Sequence, residues 1–300
     1  MEIRQLRTFQ AVAQILSFNR AAERLHYAQS SISAQIQALE EELDVKLFDR
    51  LGRSILLTEA GERLLQYAVK ILDLADETRA EVVRSKEPEG SLTIRVPESF
   101  CVHRLPPVVK QFRSRFPKVC LSFITCAVEN LQKDLRKGIT DLAFLLTESI
   151  QATDLGVEAL GFEHIMLVAS PGHPLAAKPN IKTRDLEGET ILLSKVDCGY
   201  RRSFEQILDQ GNVRPGTTLE FNSVAAIKQC VMEGVGITIL PEIAAAREIA
   251  QGRLAALKWE EEKLEVATLM IWYKDRWLSP TLSAFMKLTR EVLSRENAKL

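Results

Sequence analysis

The sequence predicts an α/β chain in three parts: an amino-terminal winged helix-turn-helix, a long linker helix and a carboxy-terminal region of two lobes. Three observations lead there. Two short helical patterns meet at a tight turn over residues 17–39, a heptad-like stripe begins at Thr58, and strands alternate with helices from Leu92 onward. A length of 300 residues accommodates two or three domains of about 100–200 residues each.

Apolar Leu6, Phe9, Val12, Ala13 and Leu16 recur at helical spacing and predict a first helix over about 4–16. Ser17 can cap a second helix, about 18–25, because its hydroxyl can accept an otherwise unpaired backbone N–H. Ala22, Leu25, Ile32, Ile36 and Leu39 then give each of two successive helices one apolar face, with Leu47 and Phe48 closing the core. The free face of the later helix carries Gln29, Ser30, Ser31, Ser33 and Gln37 and no charge. A helix that only has to stay soluble normally shows Lys and Glu there, whereas one lying in a DNA groove carries groups that match base edges. Arg50 to Leu57, with Gly52 at its turn, reads as a wing of two short strands.

Thr58-Glu59 opens a helix to about Lys86, with Leu64, Ala68, Ile71, Ala75, Thr78 and Val82 alternating by four and three. That is the coiled-coil repeat, and it predicts a dimerisation helix. Pro88-Glu89-Gly90-Ser91 reads as a linker. Strands are then expected at Leu92–Val96, Val119–Thr125 and Asp141–Leu146, with helices through Phe112 and over 129–137. Glu163 to Ser170 begins a second unit, with later strands near 190–194, 217–221, 236–240 and 266–273. Such alternation predicts a parallel sheet, and chain crossings near 161 and 267 would leave a cleft, the usual home of a small ligand.

Composition narrows the function. No apolar run approaches the roughly 20 residues that cross a bilayer, and Met1-Glu2-Ile3-Arg4-Gln5 lacks a signal-peptide layout. Five cysteines without paired spacing fit a reducing cytoplasm, so a cytoplasmic, nucleoid-associated protein is expected. A net charge of −1 is low for a nucleic-acid binder, but Arg4, Arg7, Arg20, Arg24, Arg50 and Arg53 cluster around the proposed reading helix, and local placement decides phosphate contact. The four histidines show no metal-ligand spacing, and Gly234-Val235-Gly236 precedes a strand rather than opening a helix. No catalytic set emerges, so no enzyme activity and no cofactor are expected. A solute-binding module or a metabolic enzyme on the same fold leaves the winged segment unexplained.

Leu47-Phe48-Asp49-Arg50, Leu57-Thr58-Glu59-Ala60-Gly61, Gly138-Ile139-Thr140-Asp141-Leu142-Ala143, the run from Leu167 to Leu175 and the run from Val231 to Pro241 resemble motifs of the LysR-type transcriptional regulators, in order and from end to end. The resemblance implies a DNA-binding domain over 1–58 (helix-turn-helix about 18–37) and a dimerising linker helix over 59–87. It further implies a periplasmic-binding-protein-like effector domain over 91–300, with one lobe at about 91–161 and 268–300 and the other at about 162–267. It also implies a homodimer or homotetramer on double-stranded promoter DNA, contact with RNA polymerase, and a small-molecule effector that changes promoter binding and oligomer geometry.

By that resemblance Gln29, Ser30, Ser31 and Ser33 approach bases and phosphates, and Arg50 and Arg53 serve the wing. Gln29 can pair with adenine N6/N7. Three departures stand out: Ala28 where a Ser cap is common, and Ala34 and Gln37 where cations are common. In the effector domain three loop-to-helix junctions are expected at the cleft: Ser99, Phe100 and Cys101; Val128; and Asn222 with Ser223. Helix amino termini favour anions, so a small carboxylate is the expected effector, gripped by Arg201 or Arg202. The alternative sensing mode is redox chemistry at Cys198, whose thiol the neighbouring arginines would acidify. Cys120, Cys126 and Cys230 are expected to be small core residues.

Overall fold

The computed structural model of the chain describes residues 1–51, 54–83, 87–125, 130–147, 152–194, 199–259 and 264–297. It falls into two compact units: residues 1–87 with 133–139 and 274–279, and residues 88–132 with 140–273 and 280–300.

In the first unit, α1 (Ile3–Ile15), α2 (Phe18–Leu25) and α3 (Gln29–Leu43) precede a hairpin of β1 (Phe48–Leu51) and β2 (Ser54–Leu57), and α4 (Glu59–Val83) follows. α1 and α2 match the expected helices to within a residue, α3 runs beyond the expected end near 37, and α4 starts as expected, its expected end near Lys86 lying outside the described residues. Ser17 caps α2 as expected, its Oγ accepting the Arg20 N–H at 3.4 Å. His26, at φ 55°, closes the turn before α3, donating its N–H to the Ala22 and Glu23 carbonyls; His is among the residues that tolerate this left-handed region. Phe9, Ile32, Leu39, Leu47 and Leu65 are almost fully buried in one core, with Phe48 tilted against Phe9 and edge-on to Phe18.

The first half of α4 belongs to this core. Leu65, Ala68, Val69 and Leu72 are buried in it, and Leu64 and Ile71 pack against it. The first part of the expected dimerisation stripe, Leu64, Ala68 and Ile71, is therefore taken up by this core, whereas Val82 of the same stripe is exposed. Exposed with it are Tyr67 and Leu74, the three at 63% (Tyr67), 62% (Leu74) and 76% (Val82) accessibility.

The second unit is built on β3 (Gly90–Val96), β4 (Val119–Thr125), β5 (Leu142–Thr147), β6 (Leu155–Ala169), β7 (Thr190–Ser194), β8 (Thr217–Phe221), β9 (Ile237–Pro241), β10 (Ala255–Leu257) and β11 (Glu265–Tyr273). Interleaved are α5 (Glu98–His103), α6 (Leu105–Arg115), α8 (Gly199–Gln210), α9 (Val224–Met232), α10 (Glu242–Ala250) and the terminal α11 (Pro280–Asn297), while α7 (Leu131–Arg136) belongs from Lys133 onward to the first unit. The strands follow one path, β4-β3-β5-β11-β6-β9-β7-β8, with β10 beside β6.

The expected parallel order holds for β3 with β4 and β5, and for β7 with β8 and β9. It fails at the centre, where β11 runs antiparallel to both β5 and β6, and β6 antiparallel to β9. The reason is that β6 is one strand of 15 residues, beginning well before Glu163, and β11 returns along it. Residues 161 and 267, the expected crossings, fall inside these two strands, where Gly161 pairs with Thr268 and Phe162 with Ala267. One apolar core surrounds β3, α6 and α11. Two others cover opposite faces of the later strands, one taking Ile191 and Leu193 and the other Leu192. Burial on both faces explains the unbroken apolar runs.

Cys120 departs from the expected core role. It is exposed, because β4 is an edge strand on which Val119 faces the core while Cys120, Ser122 and Ile124 face outward. Cys230 packs at the margin of a core, and Cys126 lies outside the described residues.

Two glycines of the recurring motifs are required by close approach. A Cβ on Gly236 would lie 2.2 Å from the Thr190 carbonyl oxygen, and one on Gly61 would lie 2.2 Å from that of Leu47. Alanine at 61 would gain about 1 kcal/mol of helix propensity, but a backbone carbonyl cannot swing aside, and overpacking costs about 1–3 kcal/mol. Gly61→Ala should therefore destabilise the chain by up to about 2 kcal/mol net, read as a lower urea midpoint at unchanged slope. A variant as stable as the parent would contradict this packing.

Candidate DNA-reading and effector sites

Helix α3 divides cleanly. Ile32, Ile36 and Leu39 are buried, whereas Gln29, Ser30, Ala34 and Gln37 are exposed and Ser31 and Ser33 half-buried. Gln35 is turned inward, its Oε1 accepting the Thr8 hydroxyl of α1 at 2.8 Å. On the outer face Gln29 Nε2 donates to Ser33 Oγ at 2.8 Å, one turn along the helix. That leaves the Gln29 oxygen and one N–H as a donor–acceptor pair on a face without charge. Glu40 secures the far end, where one carboxylate oxygen accepts the N–H groups of Leu47 and Phe48 at 2.8 and 3.3 Å and the other meets Lys46 Nζ at 2.9 Å.

The cations around this face are partly committed. Arg7 pairs with Asp76 of α4, Arg24 donates to Gln14 at 3.2 Å, and the Arg4 guanidinium stands 5.1 Å from the centre of the exposed Tyr27 ring. The Arg50 side chain and all of Arg53 lie outside the described residues, so the expected wing arginines have no placement here.

In the second unit, the start of α9 is occupied by a carboxylate of the chain itself. Glu98, the first residue of α5, accepts the Val224 N–H at 2.8 Å, the Ser223 hydroxyl at 3.2 Å and the Ala225 N–H at 3.4 Å. Ser223 also caps α9, accepting the Ala226 N–H at 3.4 Å. Of the expected effector contacts, Ser99 is buried beside Glu98, Cys101 is half-buried, and Asn222 is exposed next to Ser223. Burial first, and the Glu98 charge second, push the Cys101 thiol above its ordinary range, which makes it a poor nucleophile.

Phe100 is almost fully buried, stacks on Phe144 at 4.6 Å between ring centres, and helps line a small cavity with Arg104, Gly161 and Glu163. Arg201 is likewise committed, donating to Glu205 at 2.8 Å, Glu220 at 2.7 Å and the Ser194 carbonyl at 2.8 Å. Partial burial works against its charge, but the two carboxylates outweigh this and raise its already high pKa. It ties α8 to β7 and β8 rather than standing as an open fork. Arg202 is exposed on α8. Val128 and Cys198 lie outside the described residues.

Comparison with known proteins matches this division of labour. The family described as bacterial regulatory helix-turn-helix protein, lysR family, matches residues 3–62, and the LysR substrate binding domain matches residues 85–294. The chain belongs to the LysR family of transcriptional regulators. This LysR regulator is 41% identical over 292 residues to the uncharacterized HTH-type transcriptional regulator YwqM of Bacillus subtilis, covering 97% of this chain and 99% of that one. It is 32% identical to the HTH-type transcriptional regulator GltR of the same species, over 97% of each chain. Among solved structures it resembles a full-length OxyR variant from Pseudomonas aeruginosa, with a TM-score of 0.77 at 24% identity over 98% and 94% of the two chains. It is thus a DNA-binding regulator of transcription with an effector-binding domain. Among the described residues no helix is long and apolar enough to cross a membrane, and no group of three or more His, Cys, Asp or Glu could hold a metal.

Sequence reasoning missed Glu98. An acidic residue in Pro97-Glu98-Ser99 reads as an ordinary first-turn residue of its own helix, and nothing local couples it to a segment 125 positions away. The missing cap of the LysR regulator's reading helix was legible, and Ala28 indeed supplies no side-chain hydrogen bond at the start of α3. Its backbone already has the extended conformation of a cap, φ −67° and ψ 143°. Ala28→Ser should therefore stabilise the protein by about 1 kcal/mol, detectable as a raised thermal midpoint; a lowered or unmoved midpoint would mean another group already serves those N–H donors.

Proposed function

We propose that this regulator binds promoter DNA through Gln29, Ser30, Ser31, Ser33, Arg50 and Arg53, and that a small carboxylate in its effector domain changes that grip. The observation that carries the DNA half is the Gln29–Ser33 pair, held at 2.8 Å on the uncharged outer face of a helix whose inner face is buried. A glutamine amide with one donor and one acceptor free matches the N7 and N6 edge of adenine in the major groove. The effector half rests on the start of α9, whose N–H groups and Ser223 hydroxyl already hold a carboxylate. Ser99, Cys101, Asn222 and Arg202 are further contacts proposed for the effector, together with Val128, which lies outside the described residues.

The working form in this reading is cytoplasmic. It is a homodimer or homotetramer built through the exposed stripe of α4, contacts RNA polymerase at the promoter, and has neither a resident cofactor nor enzyme activity. The division of labour is 1–58 for DNA, 59–87 for dimerisation and 91–300 for the effector.

Capture of the promoter region by the purified protein tests the first half, and a thermal-shift screen of small metabolites, with and without that DNA, tests the second. Gln29→Ala should cost about 1–3 kcal/mol against the preferred operator and little against unrelated DNA. Equal losses on both would remove Gln29 from base recognition. Because the reading face lacks charge, affinity should fall only gently with salt. Ala34→Arg should steepen the slope of log affinity against log salt by about 1 for each added phosphate contact. A parent slope as steep as that of strongly basic readers would refute this view of the interface.

A further inference from the structure

The carboxylate at the start of α9 has a composition that permits exchange. Glu98 reaches it from β3–α5, on the other side of the sheet path, and its two oxygens meet three donors from consecutive residues: Ser223 Oγ, Val224 N–H and Ala225 N–H, at 3.2, 2.8 and 3.4 Å. Among the described residues no Lys, Arg or His forms an ion pair with it. Backbone donors, one hydroxyl and the positive end of a helix of nine residues therefore balance its charge. None of these groups is selective for the side chain of Glu98 over any other carboxylate. Glu98 is half-buried, and Asn222 and Ala225 beside it are exposed, so the position is reachable from solvent.

We propose that Glu98 is a built-in ligand of the effector domain, occupying the anion position of the effector site, and that a carboxylate effector acts by exchanging with it. The inference rests on the reading of this neighbourhood as the effector site and adds how the site is regulated. Glu98 bridges the β3–α5 junction to α9. An incoming carboxylate takes the same three donors, releases Glu98 and dissolves that bridge, so binding and a change in the connection between the two halves of the sheet become one event. The covalently held competitor also sets a threshold. A site occupied by its own side chain most of the time binds an external acid more weakly by the fraction of time it stands open, so a simple anion binds poorly and an effector needs further contacts to displace Glu98.

The test uses the full chain, with sodium acetate as probe and sodium chloride at matched ionic strength as control. Calorimetric titration should show Glu98→Ala binding acetate at least about tenfold more tightly than the parent, the gain expected when a competitor occupying the site about nine-tenths of the time is removed. Glu98→Gln, which keeps the shape and loses the charge, should gain in the same direction and guards against a folding defect in the alanine variant. Adding Ser223→Ala to Glu98→Ala should abolish most of the gain. Amide hydrogen exchange at Val224 and Ala225 should quicken about tenfold in Glu98→Ala without acetate, as two donors lose their acceptor. Unchanged exchange would overturn the bridge itself. Faster exchange without a gain in acetate binding, or a gain that survives Ser223→Ala intact, would overturn the exchange mechanism. Neither readout needs the natural effector. A metabolite screen in which nothing alters promoter binding would sink the sensor reading and leave the acetate result standing, whereas a metabolite that works while Glu98→Ala gains no acetate affinity would sink the exchange alone.

Discussion

The backbone of Leu47 is the joint on which the DNA-binding unit depends. Its N–H is held by Glu40 of α3 at 2.8 Å, and its carbonyl accepts the Thr58 N–H at 3.1 Å, where the wing returns. The same carbonyl lies against Gly61 of α4, so closely that a methyl group would not fit. The Leu47 side chain meanwhile fills the helical core. One residue thereby fixes the reading helix, the wing and the linker helix relative to one another. Thr58 reinforces the joint twice, donating its hydroxyl to the Lys46 carbonyl at 2.7 Å and accepting the Gly61 N–H at 3.0 Å. A reading helix without a side-chain cap or a cation needs such support, because its few neutral contacts carry specificity only if their positions are fixed.

The second unit solves a different problem. Its later strands, β7 and β9, are buried on both faces, while β6 and β11 carry the chain from one core to another as a single antiparallel pair. The ladder between them shifts register between Thr268 and Leu269, opposite Gly161 and Ala159. A bulge there bends the pair locally without breaking it. Regions joined by two neighbouring strands leave side-chain bridges such as Glu98 to α9 with disproportionate influence. A bond across such a connection holds the relative placement of whole regions, whereas a bond within either region only adds to packing that is already dense.

What could be read from the sequence and what could not follows from the range of the interactions. Periodicity and Ser17 placed α1, α2 and α3, and the Thr58-Glu59-Ala60-Gly61 motif marked the start of α4, because caps and apolar spacing are local. The run from Glu163 to Ser170 read as a strand but hid its true beginning at Leu155, since Gly161 and the charged residues beside it interrupt the apolar pattern. The antiparallel centre of the sheet could not be seen, because pairing direction depends on where β11 returns more than a hundred residues after β5. The heptad on α4 was real but ambiguous: Ala68 matches a dimer seam and a domain core equally well, and only the packed structure assigns it to the core. The same limit applies to Arg201. A cation near a cleft reads as a ligand contact until Glu220, 19 positions away, is seen to hold it.

The low net charge, on its face a mark against a DNA reader, acquires a physical sense from where the cations go. Arg7 serves α4, Arg24 serves Gln14, and Arg4 lies over Tyr27, so three of the arginines nearest the reading helix already have partners. Neutral hydrogen-bonding groups gain little from long-range attraction, which falls off within about 10 Å at ordinary salt, and act only at contact distance. In the proposed reading, such a helix forgoes non-specific affinity, most of which comes from phosphate neutralisation, and keeps its discrimination between sites. It must then recover affinity by presenting more than one reading helix to the same DNA, since linked contacts raise the effective concentration of the second. The exposed Tyr67, Leu74 and Val82 of α4 are where the chain has apolar surface to give to such an association.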